Sequence, residues 1–470
     1  MEVPLTLEEA EQIVKPNRNI IGHFLWYVYG LTQVSQSLID SEMMQSFRRF
    51  PPSGGGLYPN ELYVYLNLED IPIGVYHYDV AHHQLILLRE GNFDTYISKA
   101  LGNRYDLSTS FAVAIVSTVF WKNFFKYHNF SYRLQGLDAG VLIGQLLEVA
   151  KRFGFETSVH FQFLDRAINH LLGLSEKEES TYALIPLSVN PIKENITNTL
   201  ISATELCREL PESQYSHFVK SQKIKDYPML IQMNEASMME STELFRQLFV
   251  QERPNQEEKM LKLPRIERMS YDLASACRKR FSPEMDFTWG QVSELQLASL
   301  LQEATATFLY RNDIDGKQHH NHQPRVSVSG CMYNIKGIPD GAYHYDSKSH
   351  ALKQIQLGDF RLPLQNGMTL DNVNLYQNPL CLHVIGNKDF FKNELGYRGY
   401  RIQQMEAGML VQRLLIAASA IGMNGHPLLG IDVKNCDDIY KMGSAGMTTL
   451  IQIPIGLYQS RPWLKGRLLS

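Results

Sequence analysis

The chain has 470 residues, 44% hydrophobic and 20% charged, with 45 basic and 49 acidic side chains for a formal net charge of −4. That length supports at least two cores of ordinary size. A charge this close to neutral leaves no footprint for nucleic acid or an anionic membrane as partner. The five cysteines, Cys207, Cys277, Cys331, Cys381 and Cys436, are scattered and form no CxxC pair. They point away from a disulfide framework or zinc site and toward a reducing compartment. Met1 to Lys15 is acidic and lacks the apolar core of a signal peptide, and apolar runs such as Phe111–Val116 have strand length. The expectation is a cytoplasmic protein without a membrane span.

In chain order, Leu62–Leu66 reads as a strand rich in Tyr and Val, and a turn at Asp70–Gly74 leads to a second strand through Tyr78. Phe111–Val119 reads as a buried strand. Leu137–Phe153 is apolar on nearly all faces at helical spacing, so it predicts a helix buried all round. Ala183–Leu187 closes this set as a further strand. Residues 191–264 are richer in Ser, Glu, Gln and Met and read as a linker or helical embellishment, with helical composition at Ser241–Gln251. Then the plan repeats. Leu295–Leu301 is apolar and periodic, Met405–Ile421 predicts a second buried helix stopped by Gly422, and Leu450–Ile455 is the closing strand.

The repetition is visible residue by residue. Residues 71–79 read IPIGVYHYD and residues 338–346 read IPDGAYHYD, an offset of 338 − 71 = 267. Tyr132-Arg133 precedes LDAG ending at Gly140, and Tyr400-Arg401 precedes MEAG ending at Gly408, an offset of 401 − 133 = 268. Gly154 and Gly422 keep the same spacing. A period of this size means two fused domains, not a solenoid. The expected division is 1–190, a connector at 191–264, and 265–470.

Four clusters carry chemistry. Arg48-Arg49 leads into Ser53-Gly54-Gly55-Gly56, whose glycines let backbone amides crowd a ligand. No GK[ST] follows, so this is not a Walker loop. Alone, the run reads equally as a turn before a strand. Lys126-Tyr127 offers two groups able to act as base and acid, although an exposed lysine beside a packing tyrosine has the same sequence. Arg278-Lys279-Arg280 is suited to a phosphate, or to a solvated turn. Gly425-His426-Pro427-Leu428-Leu429-Gly430 follows the second buried helix, where its amides could face a flat ring, or simply cap the helix. His319, His320 and His322 lack an acidic or Cys partner at ligand spacing, so no metal is expected.

In this order the clusters resemble the SagB/ThcOx-type peptide azoline dehydrogenases of the nitroreductase superfamily. The resemblance is carried by PSGGGLYPNELYVYL at 52–66, GVYHYD at 74–79 and Lys126-Tyr127 before YRLQGLDAG. It covers roughly 40–190 and 265–465, and the paired halves are also similar to stand-alone oxidases of thiazole-forming nonribosomal peptide synthetases. The resemblance implies an α+β, tandem nitroreductase-like fold in which two halves form a pseudo-dimer around FMN. It implies flavin contacts from Ser53, Gly54 and Gly55, from Pro427, Leu428, Leu429 and Gly430, and phosphate contacts from Arg278 and Arg280 with Lys465 and Arg467. Lys126 and Tyr127 would then move the proton in oxidation of a thiazoline or oxazoline to the azole. The partner would be a peptide, ribosomal or carrier-bound, with dioxygen as the expected re-oxidant; a homodimer is compatible. The offset places Ser53-Gly54-Gly55 on His320-Asn321-His322, Lys126-Tyr127 on Glu394-Leu395, and Gly425–Gly430 on Thr157–Gln162. Each half thus keeps one side of a site and has lost the other, so one FMN per chain is expected. The rival readings are an NAD(P)H-dependent nitroreductase-like reductase and a flavin-free scaffold of a peptide-biosynthesis complex.

Overall fold

The computed structural model describes residues 6–8, 15–39, 42–193, 199–213, 215, 223–248, 259–306, 310–315, 325–460 and 465–467. Two antiparallel sheets dominate. The first contains β3 (Asn60–Leu66), β4 (Gly74–Asp79), β5 (Gln84–Glu90), β6 (Ser110–Val119), β7 (Glu156–Thr157) and β8 (Glu179–Ser188), in the order β5-β4-β3-β6-β8-β7. It is preceded by a ribbon of β1 (Leu31–Ile39) and β2 (Glu42–Arg49). The second sheet contains β9 (Met260–Lys262), β10 (Val326–Met332), β11 (Gly341–Asp346), β12 (Ala351–Leu357), β13 (Leu380–Asn387), β14 (Asn424–Gly425) and β15 (Met447–Gly456). Its order, β14-β15-β13-β10-β11-β12-β9, repeats the first strand for strand and adds β9 at one edge. A last strand, β16 (Lys465–Arg467), joins the ribbon beside β1.

Small side-chain devices repeat as well. Tyr78 Oη meets His83 Nδ1 at 2.8 Å, and Tyr345 Oη meets His350 Nδ1 at 2.8 Å. The aromatic YHYD strand therefore exists for the same local purpose in both halves: each tyrosine pins the turn that follows it.

The two long helices, Ser131–Arg152 and Lys392–Ala420, pack against each other at the centre. Both begin before the apolar stretches that predicted them, so the Tyr-Arg landmarks lie inside the helices. Small residues allow the contact. A Cβ on Gly140 would stand 1.9 Å from the Met405 carbonyl oxygen, and one on Gly408 would stand 2.0 Å from that of Leu137. Tyr132 and Tyr400, equivalent by the repeat, stack with their ring planes at 14°. Gln412 Nε2 donates to Gln145 Oε1 at 2.6 Å, and Gln145 Nε2 donates to the Tyr27 carbonyl at 2.8 Å, so these two buried amides are paired, while the side chain of Gln404 is not. The halves thus clasp one another within one chain.

The connector departs from expectation. Ser241–Gln251 is not an α-helix over its described part; Thr242–Leu244 forms a single 3-10 turn. Thr242 is held instead by its side chain, which accepts from Ile201 N and donates to the Thr199 carbonyl, and such hydroxyl bonds compete with helix. The described α-helices of this region are Ala203–Cys207 and Pro228–Ser237, the latter with proline at its first position. Pro228–Ser237 is locked by Arg398, whose Nη1 reaches the Ser237 carbonyl at 3.0 Å and Asp165 at 2.6 Å. No described helix is long and apolar enough to cross a membrane.

Candidate functional site

The Ser53–Gly56 turn lies between the end of β2 and β3, over the first central helix. Asp138 of that helix organises it. Ser53 Oγ donates to Asp138 Oδ2 at 2.6 Å, Gly54 N donates to Oδ1 at 3.0 Å, and Tyr58 N donates to Ser53 Oγ at 2.9 Å. Burial pushes the Asp138 carboxyl up to about 6, against the opposing pull of the Ser53 and Gly54 bonds. The serine hydroxyl and first glycine amide are therefore spent on the protein, which refines their expected role: they shape the turn. Asp138 was missed in the sequence, although a carboxylate among Leu137, Ala139, Gly140 and Val141 is a visible signal.

Gly55 joins this turn to the lysine–tyrosine pair. Its φ is +66°, and a Cβ there would lie 2.5 Å from Tyr127 Oη and 3.0 Å from Lys126 Nζ. Only glycine satisfies both the backbone and the space. Lys126 Nζ sits 5.2 Å from the Tyr127 ring centroid. The short helix Trp121–Tyr127 presents both residues and is held from behind by Gln135 Nε2, which donates to Asn123 Oδ1 at 2.7 Å and to the Phe120 carbonyl at 3.0 Å. His128 then turns the chain at φ +49°, where its equivalent in the second half is Gly396 at φ +58°. A histidine in this conformation is strained, and it stands directly beside Tyr127.

A cationic cluster lies at the other end of the turn. Arg280 is 3% exposed, and its Nε has no partner. Arg48 Nη2 donates to the Arg280 carbonyl at 2.5 Å, which brings its charge to bear on the Arg280 guanidinium. Burial, with the Arg48 charge second, pushes the Arg280 guanidinium down to about 9. Buried Arg280 and half-buried Arg48 thus carry like charges, and the Arg280 Nε is left without a partner among the described residues. Arg278 is half-buried, and its charge acts on Tyr27. In the ribbon, Arg467 and Arg48 flank Gln33 in register, and Lys465 pairs with Ser35. Arg48 was read in the sequence only as a lead-in to the glycines; the arginine doublet was its signal.

Asn424 ties this cluster to the loop after the second central helix, accepting from Phe281 N at 3.1 Å. Leu428 N donates to the Gln452 carbonyl at 2.7 Å, Thr369 N donates to the Gly430 carbonyl at 2.8 Å, and Pro427 is half-buried. No described residue accepts from Leu429 N or Gly430 N. The equivalent amides in the first half are Phe161 N and Gln162 N, which donate to Asp313 Oδ1 at 2.8 Å and Oδ2 at 2.9 Å. Likewise, Asp138 has Glu406 as its equivalent, and Glu406 is taken by Arg325 and by Tyr310 Oη at 2.6 Å. Leu395, opposite Tyr127 in the repeat, is buried, and Glu394 is exposed. The expected alignment on His320, Asn321 and His322, and the His319–His322 cluster itself, lie outside the described residues; so do most of the positions opposite Arg278–Arg280.

The structure therefore brings Ser53–Gly55 together with Lys126 and Tyr127, and Arg280 together with the base of the 425–430 loop. Arg48 and Tyr58 link the two groups, since Tyr58 Oη accepts from Arg49 N at 3.0 Å and Arg48 Nη2 donates to the Arg280 carbonyl. No hydrogen bond joins Pro427–Gly430 to Ser53–Gly55 among the described residues.

Known proteins share parts of this architecture. The sequence pattern of the nitroreductase family matches residues 6–187. The trifolitoxin-processing protein TfxB of Rhizobium leguminosarum bv. trifolii is 30% identical over 142 residues, which are 29% of this chain and 38% of TfxB, so this chain spans well under half of that relative. A putative nitroreductase from Anabaena variabilis superposes with a TM-score of 0.72 at 18% identity, covering 97% of this chain and 94% of that one. The E. coli microcin synthetase McbBCD complex with truncated pro-MccB17 shares 21% identity over 40% of this chain and 69% of its own, at a TM-score of 0.32. Residues 6–187 thus match the nitroreductase family pattern, and the whole chain has a nitroreductase-like α+β fold consistent with two fused halves.

Proposed function

We propose that this chain is an FMN-dependent dehydrogenase that oxidises a thiazoline or oxazoline in a peptide to the azole. The carrying observation is the packing of Lys126 and Tyr127 directly on the Gly55 turn. A reductase delivering hydride to a nitro group needs no such positioned base. The substrate class is drawn from the likeness to TfxB, whose name records trifolitoxin processing.

The residues fit FMN. The unpartnered Nε of buried Arg280 beside Arg48 suits its phosphate, the Gly55 turn leaves room where a Cβ would intrude, and Leu429 N and Gly430 N are available to polar atoms of a flat ring. FMN supplies the acceptor for the hydride that the oxidation releases. The protein's own work is to hold the ring and to take the proton from the carbon next to the carbonyl as the new C=C bond forms. Lys126 and Tyr127 are placed for that transfer, and His128 fixes their approach by reversing the chain behind them. The second location is closed by Asp313 and by the Arg325–Glu406 pair, so one FMN binds per chain.

The test is mass spectrometry of a thiazoline peptide, watching for loss of two hydrogens. Lys126→Ala and Tyr127→Phe should retain flavin and slow the reaction by about 10²–10⁴-fold, while Glu394→Ala leaves it nearly intact. Wild-type rates in both site variants would remove the acid–base role and favour the NAD(P)H reductase.

A further inference from the structure

Beside the turn that carries Lys126 and Tyr127 lies a cavity of about 360 Å³. It is lined by Phe130, Tyr132 and Arg133, by Met229 and Met233 of the connector helix, and by Tyr400. The connector is fastened beside this cavity. Lys225 Nζ donates to the Phe125 carbonyl at 3.1 Å, Asn129 Nδ2 contacts Met229 Sδ at 3.2 Å, and Tyr132 Oη bonds Ser237 Oγ at 3.1 Å. Phe125, Phe130 and Met229 are exposed at the rim.

Arg133 gives this apolar cavity one specific demand. Its Nη2 donates to the Leu450 carbonyl, but its Nε is buried without a partner, and no described carboxylate pairs with it. The repeat supplies an internal control. The equivalent residue, Arg401, is fully buried where Arg133 is half-buried, and it binds Asp165 at 2.8 Å. An arginine at this position of the fold therefore takes a carboxylate where the protein provides one, and at Arg133 it provides none. Burial pushes the Arg133 guanidinium down accordingly, with Tyr400 alone opposing.

We propose that this cavity binds a carboxylate of the peptide substrate near the ring to be oxidised, with Arg133 as its counter-ion and Phe130, Met229 and Met233 enclosing the adjoining apolar chain. The assignment rests on the peptide reading above. It commits to the substrate because the cavity shares its turn with the proton-transfer pair. The methionines suit side chains of varied shape.

The test uses short synthetic peptides with one thiazoline and either Glu or Gln two residues away, each with a free or amidated C-terminus. The wild-type holoenzyme should show a KM lower by roughly ten-fold or more for a peptide carrying a carboxylate, with kcat little changed. Preference for Glu identifies a side-chain carboxylate, and preference for the free acid a terminal one. Arg133→Gln should erase the preference, Arg133→Lys should keep part of it, and Met233→Trp should raise KM for all peptides, each with flavin content unchanged. Equal KM values across the wild-type set, or a preference that survives in Arg133→Gln, overturn the proposal. Fluorescence polarisation with labelled thiazole peptides reads the same preference without turnover. Should no peptide be oxidised while the acidic thiazole peptides still bind through Arg133, the azoline reading fails and the pocket stands.

Discussion

Replacing Arg280 by methionine separates the cost of a buried charge from its use. In the flavin-free protein Arg280 is charged at neutral pH yet held down to about 9 from 12.5. That drop, at about 1.36 kcal/mol per pH unit, corresponds to a penalty of roughly 5 kcal/mol. Relaxation and bound buffer anions reduce it, so Arg280→Met should stabilise the flavin-free protein by about 1–3 kcal/mol, as apolar replacement of buried charges commonly does. Because the folded value is depressed, the wild-type penalty is fully present at neutral pH and fades only as pH rises above about 9. The same substitution should weaken FMN binding by roughly 10–150-fold, the range for losing one charge-assisted hydrogen bond of about 1.5–3 kcal/mol. Thermal unfolding of flavin-free protein with and without FMN measures both effects. An Arg280→Met protein that is less stable without flavin, yet binds FMN with wild-type affinity, would refute the anion-receptor argument.

Flavin released on denaturation should total one FMN per chain; a ratio near two would mean that Asp313 does not close the second location. Gly140→Ala should destabilise by about 3 kcal/mol or more through backbone overlap with Met405, and a urea midpoint equal to wild type would contradict the close helix contact. Asp138→Asn should remove a pH dependence. The folded value, raised to about 6, makes wild-type stability fall as pH climbs from about 4 through 6, by up to roughly 3 kcal/mol. Urea midpoints for the two proteins should therefore lie closest at pH 4.5 and separate at pH 7, where the wild type is the less stable, net of one lost acceptor.

The fold was legible because the duplication wrote it twice. An all-apolar helix with small residues at Gly140 and Gly408 has one use, tight burial against a partner, and the strands alternate or run apolar as sheets require. The candidate site was less legible. Lys126, Tyr127 and Gly55 are ordinary until the turn brings them within contact, and nothing local connects residue 55 to residue 127. Asp138 hid inside a landmark used only for alignment. Arg48 hid in a doublet beside a louder glycine run. The sequence showed the second location only as lost glycines; Asp313 and Arg325, which occupy it in the proposal above, are side chains whose partners lie as far as 209 residues away in sequence. The connector misled because helical composition at Ser241–Gln251 lost to hydroxyl bonds from Thr242, a case of side-chain competition with the helix ladder.

The mutual burial of the two central helices also bears on how the chain is made. The first helix has no face suited to water: nearly every residue from Ser131 to Arg152 is covered, much of it by the second helix. During synthesis it emerges complete while its partner is still about 250 residues away. At roughly 5–20 residues per second, that interval lasts on the order of 12–50 seconds. For this time the nascent first half carries a bare apolar helix, and the connector is translated before relief arrives. Temporary shelter by a chaperone, or by loose packing of the connector against the helix, is thus a requirement of the architecture, and truncation before residue 392 should leave a product prone to aggregate.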